Sequence, residues 1–253
     1  ISIDGDLAVL FEAPMIDFNA KDLAQSIKVK VDDEVFDLIS KNPSQMPFDY
    51  ANIDRKRKMR VAAIGAGMGL SQIVDAALST AVFEVVCAYD DKKFGVSVTS
   101  EDGIPIIGDI DVSQILADYN FGIFDFIIIS VSTNIRFRKE LFSILTPHIP
   151  FANIIHKSAT ISDSSVVGVG NVVLANSVIG PKARIGDNNF ISAFCNIEHH
   201  CIIEDNCTFG PGTIFSGGVY VSSETKFGTG VHVEPKIKTP NGFVKSGSLL
   251  INK

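Results

Sequence analysis

Two groups of residues in this chain have the types and spacings that do chemistry. The first is Gly65-Ala66-Gly67-Met68-Gly69, which follows the apolar run Met59–Ile64 and precedes a segment with helical apolar spacing at Leu70, Ile73, Val74, Ala77 and Leu78. A glycine turn in that setting aims backbone N–H groups at a helix N-terminus, a ready anion site. Asp90, about two dozen residues later, could accept a ribose hydroxyl. The third glycine of G-x-G-x-x-G is missing, because Leu70 stands there, so the pattern supports a nucleotide phosphate more broadly than it supports NAD. A packing turn between strand and helix is the competing reading. The second group is His199, His200 and His232 with Cys195, Cys201 and Cys207. Adjacent histidines chelate one ion poorly and no C-x-x-C pair exists, so no metal site is expected. The cysteines, with Cys87, read as small core residues in a reducing compartment, which points to the cytoplasm. His156 belongs to a domain junction, and His148 and His232 read as surface residues.

The elements that must position these groups are unusually plain in the second half of the chain. Stepping by six from Ile161 gives Val167, Val173, Ile179, Ile185, Ile191, Ile197, Ile203, Phe209, Phe215, Val221, Phe227 and Val233 without a gap. Two places before each large residue stands a small one, from Ser165, Asn171 and Ser177 through Ala183 and Asn189 to the three cysteines and Thr213. Glycine often follows the large residue, as at Gly168, Gly180, Gly186, Gly210 and Gly228. Period six is neither helical nor a simple strand alternation. It predicts short strands and corners, with three faces closing one coil of a β-helix and glycine accommodating the tight corner backbone. Mixed Asp, Asn, Glu, Lys and His at outward positions argue against an ice-binding surface. A γ-class carbonic anhydrase would need three histidines spread over faces and coils.

In front of the repeat, strands and helices alternate. Met59–Ile64, Phe83–Tyr89, Phe124–Val131 and Ala152–Ile155 read as strands, and Leu70–Leu78, Val112–Tyr119 and Ile135–Leu145 as helices, which means βαβ units and a parallel sheet. Residues 1–57 form a third region with no chemistry of its own; Asp4-Gly5-Asp6 could turn a hairpin and Asp33–Ile39 could be helical. The expected division is therefore 1–57, a nucleotide-binding α/β domain at 58–153, and a β-helix at 154–253. A formal charge of −7 argues against a nucleic-acid partner. The basic run Arg55 to Arg60 reads as a solvated linker. The longest dense apolar run, Phe126–Val131, is too short to cross a bilayer, and the first ten residues show no secretory signal.

A small parallel α/β domain followed by this hexad array resembles the sugar O- and N-acetyltransferases of the sialic-acid O-acetyltransferase type, which include nucleotide-amino-sugar acetyltransferases. The carriers are Ile64-Gly-Ala-Gly67, Tyr89-Asp-Asp91, Gly103-Ile-Pro-Ile-Ile-Gly108, Asn153-Ile-Ile-His156-Lys-Ser-Ala159 and Ile197-Glu-His-His-Cys201, spread over roughly residues 60–250. The resemblance implies a Rossmann-like domain joined to a left-handed β-helix. It implies a homotrimer that holds acetyl-CoA between neighbouring subunits and acetylates a nucleotide-linked sugar.

On that resemblance His199 is the general base, with Glu198 and His200 beside it, and Gly217 is the oxyanion donor. Gly217, Gly218, Thr229 and Gly230 would line the acetyl-CoA groove. Gly65, Gly67, Asp90 and Asp91 would hold the nucleotide sugar, with Ser192 and Thr208 at substrate positions. Several residues depart from the family pattern. His200 stands where an acid usually follows the base, and Thr208 where a second histidine is usual. Ser192 replaces an asparagine, Met68-Gly69 replaces a Gly-His pair, and a Gly-x-Pro-Ala-Lys-like tail does not occur before Lys253. Because of these departures, the alternative expectation is a non-catalytic relative that binds a sugar nucleotide or a partner enzyme.

Overall fold

The computed structural model describes residues 58–239 and 241–251; the expected hairpin at Asp4–Asp6 and helix at Asp33–Ile39 lie outside them. The chain first builds β1 (Met59–Ile64), α1 (Met68–Thr80), β2 (Phe83–Tyr89), β3 (Ile106–Gly108), α2 (Val112–Asn120), β4 (Phe126–Ile129) and α3 (Ile135–Leu145). The strands pair in parallel in the order β3-β2-β1-β4. Apart from Arg60, β1 and β4 are apolar on both sides, as a sheet covered on both faces requires. Leu70, Ile73, Ala76 and Ala77 of α1 pack on one face. Ile115 and Tyr119 of α2 and Leu141, Phe142 and Leu145 of α3 pack on the other.

Three expectations change here. β4 is shorter than Phe124–Val131, and β3 was hidden in Gly103–Gly108 because three residues carry no periodic signal. Ala152–Ile155 does not add a further strand to the sheet. Phe151 bridges Ile127 only once, and Ile154–Ile155 is instead the first rung of the β-helix. Arg60 is not part of a solvated linker: it lies in β1, and its guanidinium pairs with Asp125 at 2.8 Å.

The remaining strands, from β5 (Ile154–Ile155) to β20 (Leu249–Leu250), are two residues long and stack in parallel sheets of six, six and four strands. The first face carries the strands that begin at residues 154, 172, 190, 208, 226 and 243, the second those at 160, 178, 196, 214, 232 and 249, and the third those at 166, 184, 202 and 220. The second residue of each strand points inward, and Ile191, Ile197, Phe209, Phe215 and Phe227 are fully enclosed with the three cysteines. Stacking satisfies the backbone between coils and makes one continuous core.

The corners depart from expectation in an informative way. The left-handed conformation recurs every six residues, three places after the large residue, at Gly170, Asn176, Lys182, Asn188, Phe194, His200, Asn206, Gly212, Gly218, Glu224, Gly230 and Lys236. Glycine directly after the large residue serves close stacking instead. A Cβ on Gly210 would come within 2.6 Å of Gly228 carbon, and one on Gly186 within 3.0 Å of Glu204 carbon. A side-chain ladder climbs the third corner: the Asn171, Asn189 and Cys207 N–H groups donate to the amide oxygens of Asn153, Asn171 and Asn189.

The α/β part docks on the first face. Ile154, Val172, Leu174 and Phe190 join the core beneath α1. No helix of the described residues is long and apolar enough to cross a membrane.

Candidate active site

The hexads place Glu198, His199 and His200 at the second corner, between the strands at Asn196–Ile197 and Ile202–Ile203. One coil above, eighteen residues on, the same corner slot holds Gly217. The His199 ring lies against it: a Cβ on Gly217 would fall onto Cε1 and lie 2.6 Å from Nε2. The main chain locks the stack, because the Gly218 N–H donates to the His199 carbonyl at 2.9 Å and the His200 N–H to the Pro181 carbonyl at 3.0 Å.

This slot has a second property. Pro181 occupies it one coil below and Pro235 one coil above Gly217. Proline has no N–H, so the slot's donor takes no part in the ladder. Among the described residues no group accepts from the Gly217 N–H. An imidazole and an unspent backbone donor therefore meet on an exposed corner.

The partners of the imidazole differ from a simple carboxylate-oriented base. His199 Nδ1 faces His200 Nδ1 at 3.1 Å, so one ring donates and the other accepts. Glu198 is engaged elsewhere, accepting from the Asn196 side-chain amide at 3.0 Å. Asn196 was not anticipated. Its signal was present, since the first residue of every two-residue strand points outward.

Thr229 and Gly230 lie on a different corner, the first, together with Ser192. Gly212 and Gly230 there have nothing within 4 Å of a built Cβ, so this corner presents bare backbone. Phe194, in the same slot one coil below Gly212, is instead 65% exposed. Within one chain, then, the His199 corner and the Thr229 corner are separated by the second face. Ser192 is buried. Thr208 is also buried; its hydroxyl accepts from Arg138 Nη1 at 2.9 Å and donates to the Ser132 carbonyl at 3.1 Å.

The glycine turn, Asp90 and Asp91 gather at the carboxyl ends of β1 and β2. The sheet order reverses beside β1, so the β1–α1 and β4–α3 loops lie at a topological switch point. Gly65 (φ +98°) cannot carry a side chain, because a Cβ would lie 2.7 Å from Ser130 Oγ. Gly67 faces open space, and the N-terminus of α1 has no side-chain cap. Gly69 packs against the Ser130 carbonyl, doing the job sought at position 70. Asp90 accepts from the Ala66 N–H at 2.7 Å and from the Lys92 and Lys93 N–H groups at 3.0 Å. Lys93, which sequence reasoning missed, donates its ammonium to the Ala66 carbonyl at 2.6 Å. Asp91 accepts from the Ile110 N–H at 2.7 Å, holding the loop after β3.

Residues 182–217 match the bacterial transferase hexapeptide (six repeats). That stretch runs from the corner below His199 to Gly217. A perosamine N-acetyltransferase mutant from Caulobacter crescentus, solved in complex with CoA and GDP-perosamine, is 24% identical, with a TM-score of 0.68 over 76% of this chain and 88% of that one. The acetyltransferase domain of PglB from Neisseria gonorrhoeae, in complex with acetyl coenzyme A, is 21% identical, with a TM-score of 0.56 over 74% and 93%. WeeI from Acinetobacter baumannii is 18% identical, with a TM-score of 0.51 over 76% and 96%. Among curated protein sequences none matches. At these identities the likeness is one of fold, and the three-sided parallel array with its hexapeptide match fits a left-handed β-helix.

Proposed function

We propose that this protein is a homotrimeric acetyltransferase that moves an acetyl group from acetyl-CoA to an amino or hydroxyl group of a nucleotide-linked sugar. The observation that carries the reading is the meeting of the His199 imidazole with the unspent Gly217 N–H at an exposed corner. Acyl transfer needs those two groups together. The acceptor must lose a proton as it attacks the thioester carbonyl, and imidazole is suited to take it near neutral pH. The tetrahedral oxyanion needs a donor set in place beforehand, and Gly217 supplies one. As the carbon–sulfur bond breaks, the imidazolium returns its proton to the departing thiolate, and CoA and the acetylated sugar leave.

For this role His199 must present Nε2 to the acceptor, which requires Nδ1 to carry the proton that His200 Nδ1 accepts. His200 then steadies the imidazolium by hydrogen bond, where a carboxylate would also supply charge. The bare backbone at Gly212 and Gly230, with Thr229, suits the pantetheine arm of acetyl-CoA, because neither glycine projects a side chain into its path. Its distance from His199 within one chain favours a groove shared between neighbouring subunits of a trimer. The open Gly67, the uncapped α1 N-terminus and Asp90 suit a Rossmann-like site for the nucleotide, Asp91 fixing the adjacent loop. The fold neighbours crystallised with CoA, acetyl coenzyme A and GDP-perosamine support the same choice of ligands.

The test is to incubate the protein with acetyl-CoA and a panel of UDP-, GDP- and dTDP-amino sugars while following free thiol. Turnover that disappears in His199→Ala is expected; no turnover with any acceptor, or turnover unchanged in the variant, defeats the reading. A second reading, a sugar-nucleotide-binding relative without catalysis, is favoured by one fact: Glu198 is tied to Asn196 and leaves His199 without a carboxylate. Calorimetry with CoA separates the two, since only an acyltransferase needs CoA affinity.

A further inference from the structure

Arg138, in the second turn of α3, is the largest of the fully buried side chains, with 1% of its surface exposed. Among the described residues no carboxylate pairs with it. Its fork is spent on neutral oxygens: Nη1 donates to the Thr208 hydroxyl at 2.9 Å and Nη2 to the Cys207 carbonyl at 2.8 Å, while Nε has no partner. Burying a cation without a counter-charge is expensive, and a merely apolar contact would fill the same space at less cost. What the guanidinium accomplishes here is directional.

The Thr208 hydroxyl that accepts from Arg138 donates in turn to the Ser132 carbonyl at 3.1 Å. Ser132 is two residues after Ser130, whose hydroxyl donates to the Ile64 and Gly65 carbonyls at 2.9 and 2.7 Å and whose carbonyl abuts Gly69. Two sets of short polar contacts, linked through the backbone of residues 130–132, thus join a β-helix coil to the floor of the glycine turn. The polarity is fixed at the Arg138 end, since a guanidinium can only donate and forces the Thr208 proton toward Ser132.

We infer that Arg138, acting through Thr208, is a positioning residue for nucleotide binding, holding the 130–132 segment at the height that lets the glycine turn receive a nucleoside diphosphate. The inference rests on the proposed nucleotide site and adds a residue that touches no ligand itself. It also reassigns Thr208, which sequence placed at the substrate, to a brace.

The experiment compares Thr208→Val, Thr208→Ser and Arg138→Met with the unsubstituted protein. Affinities for CoA and for the GDP-, UDP- or dTDP-sugar that binds best are read by calorimetry, alongside melting temperature. Thr208→Val and Arg138→Met should weaken nucleotide-sugar binding at least fivefold and leave CoA affinity within twofold, while Thr208→Ser restores binding. In turnover the loss should appear in KM for the sugar nucleotide and not in kcat. Should Arg138→Met fail to fold, Thr208→Val carries the test, because Arg138 keeps the Cys207 carbonyl. Folded Thr208→Val with unchanged nucleotide affinity overturns the inference alone, as does a parallel loss of CoA and nucleotide binding. Failure of the unsubstituted protein to bind any nucleotide overturns the site reading together with it.

Discussion

The ring of His199 occupies the space that a side chain on Gly217 would need. The two residues are one coil apart in the same corner slot, so the β-helix repeat itself brings them into contact. Gly217 does not require a positive φ, unlike its neighbour Gly218 at +72°. Its backbone therefore accepts alanine, and the cost of a methyl group falls on the imidazole. Gly217→Ala should lower kcat by about a hundredfold, the usual cost of displacing a reacting group by an ångström, with little change in melting temperature. Steady-state kinetics beside thermal unfolding checks this; full activity in a folded Gly217→Ala would separate the ring from the chemistry.

The glycine turn predicts a split between two alanine variants. Gly69→Ala drives a methyl group into the Ser130 carbonyl and should destabilise the fold by about 1–3 kcal/mol, as overpacking does. Gly67→Ala meets nothing and should unfold at the same denaturant concentration as the parent. Its effect should appear only in nucleotide affinity. Urea titration and calorimetry on the same two proteins distinguish packing from binding.

The thiols make stability depend on alkaline pH. Burial pushes Cys195 up to about 11 and Cys87 and Cys207 to about 12, from an ordinary value of 9.0. The folded chain keeps protons that the unfolded chain loses above pH 9, so stability is complete below that and falls as pH rises. By pH 10 the loss is about 1 kcal/mol per thiol. The next coil uses Thr213 and Thr225 in the slots of Cys195 and Cys207. Cys195→Thr with Cys207→Thr should therefore fold and show a shallower decline in urea midpoint between pH 8 and pH 10.

Phe194 holds a left-handed backbone (φ 60°) with its ring in solvent, whereas the same slot above it is glycine at 212 and 230. A left-handed conformation costs a side-chain-bearing residue about 1–2 kcal/mol. Phe194→Gly should raise stability by about 1 kcal/mol, read as a higher melting temperature. A lower one would mean that the exposed ring makes contacts beyond those of a single chain.

The β-helix was legible in sequence because each hexad repeats one burial decision, large inside and small beside it, and these positions are buried from Ser165 to Thr213. Helix α1 was legible from apolar spacing, and α2 and α3 were read as helices between the strands. The three-residue β3 was not, since pairing with β2 and not pattern makes it a strand. At the corners the sequence showed where glycine stands but not why, because coil-to-coil approach is a distance across eighteen residues. Gly217 was reached through the family resemblance, and its contact with His199 follows from the eighteen-residue coil. The Glu198–Asn196 bond and the Arg138–Thr208 brace depend on side-chain direction across elements, which spacing does not encode.

The asparagine ladder of the third corner has a sense of direction. Asn153 offers its amide oxygen to Asn171, Asn171 to Asn189, and Asn189 to Cys207, each earlier coil accepting from the later one. The starting acceptor, Asn153, lies just after the last helix of the α/β part, next to Ala152 and Ile154 in the core beneath α1. For these side-chain oxygens each acceptor therefore lies one coil before its donor, while the backbone bonds of the neighbouring face run the other way, from Ile154 to Asn171, Val172 to Asn189 and Phe190 to Cys207. Each coil is thereby clasped to its neighbours in both senses, and the lowest clasp sits against the core of the α/β part.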